Sequence, residues 1–194
     1  MQAVDAATVA IYEKAAPHWE QSRGDPKDDL GLGFRAQAGA GLLVDLGCGP
    51  GRYLGQIGEP VVGLDVSWAM LTLAQRRGHL LARADLEALP FAECSLVGAF
   101  ARHSYLHIPK LRMPRALAEL RRILRPGGLL FLSLIEGDYE GRDRPGDDLP
   151  GRYFAYWSAS ELANALANAG FVDVVAERVP EGPGGRDVRA TARR

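Results

Sequence analysis

The chain has 194 residues, 47% hydrophobic, 24% charged and 8% aromatic, one domain's length with room for a core but not for a second full-sized domain. Lys and Arg number 23 and Asp and Glu 24, a net charge of −1, so no global positive field draws the protein to nucleic acid or anionic lipid. The 23 glycines and 12 prolines fall between periodic segments, which excludes collagen, a coiled coil and general disorder.

Met1 to Asp5 lack a basic region followed by an apolar run, so no signal peptide is expected and the expected location is cytoplasmic. Residues 1–40 read as a helix, about Ala6 to Trp19, and then a polar, glycine-rich linker. From Leu42, apolar runs alternate with helical patterns. Leu42 to Leu46 reads as a buried strand, Arg52 to Ile57 as a short helix and Pro60 to Leu64 as the next strand. Ser67 caps a helix through Met70, Leu71 and Ala74 that stops at Gly78. Leu80 to Ala84 and Ser95 to Ala101 are the third and fourth strands.

Leu117, Leu120 and Leu124 share a helix face, Pro114 suits its first turn, and Pro126-Gly127-Gly128 ends it. Leu129 to Ile135 is the fifth strand, too short to cross a bilayer. Residues 136–157, with Tyr139, Tyr153, Phe154, Tyr156 and Trp157, form a long insertion at the carboxyl edge of the sheet, where a lid is expected. Ser158-Ala-Ser-Glu161 is a capping box. Phe171 to Val179 and Asp187 to Arg193 lack an intervening helix and should pair antiparallel at one edge, across the turn-rich Pro180 to Gly185. The pattern predicts a doubly wound α/β sheet within a single domain, with a core over 41–194. Cys48 and Cys94 are expected as two mostly buried reduced thiols, with no metal.

Chemistry concentrates after the strands. In Val44-Asp45-Leu46-Gly47-Cys48-Gly49-Pro50-Gly51 the glycines let the chain turn tightly and let a ligand approach without a Cβ in the way. Asp65 ends the second strand, where a carboxylate can accept both hydroxyls of a ribose, and Asp85-Leu86 follows the third, suited to an exocyclic amine and a ring face. A nicotinamide dehydrogenase would carry its third glycine at position 52, which is Arg52.

From about Val44 to Arg193 these motifs resemble the class I S-adenosylmethionine-dependent methyltransferases. The resemblance implies a seven-stranded Rossmann-like sheet, S-adenosyl-L-methionine as cofactor and S-adenosyl-L-homocysteine as product. It implies cofactor contacts at Asp45, Gly47, Cys48, Gly49, Gly51, Asp65, Val66, Met70, Asp85, Leu86, Ala101 and Arg102. His103, Tyr105 and His107, after the fourth strand, are the catalytic candidates; either imidazole titrates near neutral pH and suits a base, or serves to order the loop. Tyr12 and Trp19 lie in a stretch similar to the family's cofactor-covering segment. With Arg152, Tyr153 and Tyr156 of the insertion they are the expected substrate contacts, Arg152 meeting a carboxylate. The acidic insertion favours a small-molecule acceptor over nucleic acid; a tRNA or RNA acceptor, or cofactor binding without catalysis, are the alternatives.

Overall fold

The computed structural model describes residues 5–182 and 185–194. In chain order the elements are α1 (Ala6–Ser22), α2 (Leu30–Ala38), β1 (Leu43–Leu46), α3 (Leu54–Ile57), β2 (Val61–Asp65), α4 (Trp68–Gln75), β3 (Leu80–Arg83) and β4 (Leu96–Arg102). Then come α5 (Met113–Ile123), β5 (Leu124–Ile135), β6 (Glu140–Gly141), β7 (Phe154–Ala155), α6 (Ala159–Asn168), β8 (Val172–Gly182) and β9 (Gly185–Arg193). Seven strands form one sheet in the order β3-β2-β1-β4-β5-β9-β8, while β6 and β7 pair separately. The first five of those seven are parallel, and β9 and β8 run antiparallel at the edge as expected.

The central strands are apolar on both faces because helices cover both. On one face Leu117 and Leu120 of α5, Leu162 and Leu166 of α6 and Val188 of β9 share a core. On the other, Phe34 of α2 and Leu54 of α3 pack with Phe100 and Phe131. Those last two are register partners, and their rings stack at 4.7 Å between centroids. The capping box forms with both of its hydrogen bonds, and Ser67 caps α4 by accepting from Met70 N.

Three expectations change. The glycine-rich segment expected as linker contains α2: Phe34 and Ala38, one turn apart, are buried. Gly31 is there for helix contact, since a Cβ would stand 2.7 Å from Gln56 Cβ. β5 begins at Leu124, before the glycine pair, with a register irregularity against β4 between Leu96 and Gly98. Cys94 is exposed while Cys48 is buried, because Cys94 sits in the turn before β4, at a φ of 56°. The turn expected over Pro180 to Gly185 includes Pro183 and Gly184, which lie outside the described residues. Among the described residues no helix is long and apolar enough to cross a membrane.

Two covers lie over the carboxyl ends of the strands. Glu13 of α1 accepts from Trp68 N at 2.7 Å and Ala69 N at 3.0 Å, docking α1 on the first, otherwise unpaired amides of α4. Segment 136–157 is tied to α1: Tyr153 N donates to Thr8 Oγ1 at 2.8 Å and Arg23 pairs with Asp148 at 2.8 Å.

Candidate active site

Beneath these covers lies a cavity of about 700 Å³, open to solvent, whose floor is the glycine loop and the ends of β2 and β3. The amides of Gly47 and Cys48 both donate to Leu64 O, at 2.7 and 2.9 Å, which folds the loop back over β2. Gly47 (φ +70°) is required by close approach, because a Cβ there would meet Ser104 Cβ at 2.3 Å. Ser104 Oγ in turn donates to Leu46 O at 2.6 Å. At Gly49 (φ +54°) a Cβ would enter open space. That is the position at which the backbone can carry a ligand directly.

Asp65 links loop and strand, accepting from Gly49 N and Ser67 N, both at 2.9 Å. Burial pushes its carboxyl up, against backbone amides that pull it down. Each oxygen keeps a second acceptor site, and Asp65 lines the cavity with Val66 and Met70. Asp45 is 3% exposed. Burial, and secondarily the charge of Asp65, push its carboxyl up to about 8. Asp45, in β1 just before the glycine loop, is an expected cofactor contact that is not among the residues lining the cavity.

The roof comes from Thr8, Tyr12 and Trp19 of α1, and His107 joins roof to wall. Its Nδ1 lies 2.6 Å from the Tyr153 carbonyl and its Nε2 2.9 Å from the Tyr12 hydroxyl. Burial lowers its pKa to about 4, so the ring is neutral at physiological pH. The carbonyl requires Nδ1–H, which leaves Nε2 to accept from the Tyr12 O–H. Tyr12 Oη accepts from Arg152 Nη1 at 2.9 Å. With both nitrogens engaged, His107 holds the roof and is not a free base.

His103 is placed differently. It lines this cavity and an adjoining one, at a φ of 55°. Its Nε2 stands 3.1 Å from Oδ2 of Asp187, which is fully buried. The two are in close contact but make no hydrogen bond; a carboxylate at this distance can favour an imidazole that serves as a general base. Asp187 was not among the expected site residues: near the start of β9, between β5 and β8 in the sheet and far along the chain from His103, it carries no local signal.

Gly47, Gly49, Asp65, Val66, Met70, Leu86, Tyr12, Trp19, His103 and His107 thus meet on one cavity. The remaining expected contacts lie elsewhere. Tyr105 does not line the cavity: its side chain is fully buried in the core with its hydroxyl unpartnered. Ala101 is core. Arg102 turns away to stand over the Tyr53 ring and 3.7 Å from Asp28. Gly51 faces Leu54 and Ala74, and Cys48 is buried with its thiol donating to Gly49 O. Asp85 does not line the cavity; its Oδ1 accepts from Glu87 N at 2.9 Å, while its neighbours Ala84 and Leu86 do line it.

In the insertion, Tyr153 turns outward to Glu140 and Tyr156 packs on Tyr139. Phe154, seen in the sequence only as part of an aromatic stretch, is the insertion's wall in the adjoining cavity of about 350 Å³. Arg152 also lines it but is already bound by Asp147 and Asp148.

Residues 44–132, the span holding this loop and both acids, match the family described as "Methyltransferase domain". By this match and by its fold, the chain is similar to the class I S-adenosylmethionine-dependent methyltransferase superfamily. Within it, the chain is 34% identical to a malonyl-[acyl-carrier protein] O-methyltransferase of Enterobacter lignolyticus, over 68% of this chain and 55% of that protein. It is 26% identical to a tRNA (carboxymethyluridine(34)-5-O)-methyltransferase of Mus musculus, over 89% of this chain and 26% of that one. The chain therefore spans about a quarter to just over half the length of these two methyltransferases. The solved DhpI–SAH complex shares the fold, with a TM-score of 0.76, 22% identity and coverage of 96% and 95%.

Proposed function

We propose that this methyltransferase domain binds S-adenosyl-L-methionine over the glycine loop and moves its methyl group to a small-molecule acceptor in the adjoining cavity. The observation that carries the reading is the junction of the two cavities: Tyr12, Trp19, His103 and His107 line both. One side holds Gly49 and Asp65, the other Phe154 and Ile135.

The residues suit the cofactor. Open space above Gly49 admits the methionine portion, and Asp65, which lines the cavity, has acceptor capacity for ribose hydroxyls. When bound, the cofactor supplies an electrophilic methyl carbon, so the protein's work is alignment and exclusion of water. The Tyr12 and Trp19 rings, edge to face at 5.5 Å, roof the site with guanidinium groups already over them, Arg23 on Trp19 and Arg152 near both. For an acceptor that arrives protonated, His103 takes the proton on the nitrogen remote from Asp187.

The test is transfer of labelled methyl from S-adenosylmethionine to a panel of small acids, phenols and amines, with bulk tRNA in parallel. The tRNA methyltransferase relative makes RNA the second reading. Label in a small molecule is expected; label in tRNA alone would move the acceptor to RNA. Cofactor binding without transfer to any acceptor would leave a binding module.

A further inference from the structure

The two arginines lining the adjoining cavity, Arg144 and Arg152, differ in charge balance. Arg152 is spent: Asp147 holds it with both carboxylate oxygens, Asp148 Oδ1 accepts from it at 2.9 Å, and 3% of its side chain is exposed. It cannot also serve a substrate carboxylate without breaking these pairs. The sequence-based expectation for Arg152 fails for that reason.

Arg144 has no carboxylate within ion-pair distance among the described residues. Its guanidinium hydrogen-bonds the Tyr156 side chain and sits 4.9 Å from the Phe154 ring centroid and 5.9 Å from that of Tyr156. The rest of the wall is apolar or neutral: Leu106, Ile135, Phe154 and His107, whose ring burial keeps uncharged. His103 stands against its own carboxylate, Asp187. A cation among apolar walls is held short of its full solvation, and an anion entering the cavity compensates it where the low local dielectric strengthens the pair.

We propose that Arg144 binds a carboxylate of the methyl acceptor, so that the acceptor is a small, partly apolar carboxylic acid. A single guanidinium fork matches the two oxygens of a carboxylate, whereas a phosphate dianion would call for a second free cation, which this wall does not present among the described residues. The assignment rests on the proposed methyltransferase reading, because it takes this cavity as the acceptor's.

The probe is benzoate against its uncharged counterpart benzamide, titrated calorimetrically into protein saturated with S-adenosylhomocysteine. Benzoate is expected to bind about tenfold more tightly than benzamide. Arg144→Gln should abolish that preference while the affinities for benzamide and S-adenosylhomocysteine stay within about twofold; Arg144→Lys should keep part of it. Equal binding of the two probes, or an unchanged preference in Arg144→Gln, overturns the assignment and makes Arg144 an anchor of the insertion through its ring contacts. If Arg144→Gln does not fold, the wild-type comparison and Arg144→Lys decide. Failure of S-adenosylhomocysteine to bind would instead overturn the cofactor reading, so the two failures are separable.

Discussion

At the scale of single residues, two buried groups pull stability in opposite directions with pH. His107, lowered to about 4 by burial, binds a proton more readily unfolded than folded. Its contribution is intact above about pH 6.5 and is lost as pH falls toward 4. His107→Gln should therefore show a smaller drop in Tm between pH 7 and pH 5 than the wild type; an equal drop would mean the ring is already charged in the fold. Asp45, raised to about 8 mainly by burial, holds its proton more tightly when folded. Its contribution is present below about pH 4 and is lost as pH rises to 8. Asp45→Asn should be more stable than the ligand-free wild type at pH 8, by more than about 1 kcal/mol, yet bind S-adenosylmethionine about tenfold more weakly. Chemical denaturation and calorimetry on the same samples check both halves, and loss of stability with unchanged affinity would make Asp45 purely structural.

Among the elements, α1 is tied down along its length by polar contacts, with Arg52 donating to the Trp19 and Glu20 carbonyls at 3.2 Å near its end. Both Glu13 oxygens accept amides at the start of α4, and the Arg152–Tyr12–His107 chain ties its middle to the insertion. Glu13→Ala is expected to increase amide exchange across α1 and speed cofactor release several-fold, while the sheet keeps its protection. Unchanged exchange in α1 would show that its apolar face alone holds it. What was legible in the sequence follows the same division. Ser67, the capping box and the glycine loop carry local signals, and the structure forms them where the residues stand. α2 was missed because its glycines read as loop; contact with Gln56 explains Gly31, Gly33 faces open space, and Phe34 packs on Phe100. His103 and His107 were equivalent in sequence; their partners, Asp187 and Tyr153, come from distant segments and separate the two roles. Tyr105, adjacent to both along the chain, turns into the core.

Across the whole molecule, the sheet brings opposite ends of the chain to one place. The antiparallel edge pairs Ile135 with Asp187, which sets a carboxylate from β9 behind the loop that follows β4. Asp187→Asn is therefore expected to lower turnover about tenfold or more for an acceptor that must lose a proton, to spare a carboxylate acceptor, and to leave S-adenosylhomocysteine affinity within about twofold. Equal losses for both acceptors would show that Asp187 acts through folding alone. The net charge of −1 conceals a local pattern: Asp147 and Asp148 of the insertion pair with Arg152, Asp148 also with Arg23 and Glu136 with Arg178, while Arg144 faces the cavity.

The central claim is that the glycine loop and Asp65 form a cofactor site. Isothermal titration of the wild type and Asp65→Ala with S-adenosylhomocysteine tests it most directly. The wild type should saturate at micromolar ligand, one molecule per chain. Asp65→Ala should bind about tenfold or more weakly, a loss of about 1.5–3 kcal/mol for charged hydrogen bonds. No heat from the wild type at millimolar ligand, or equal affinity in the two proteins, would contradict it.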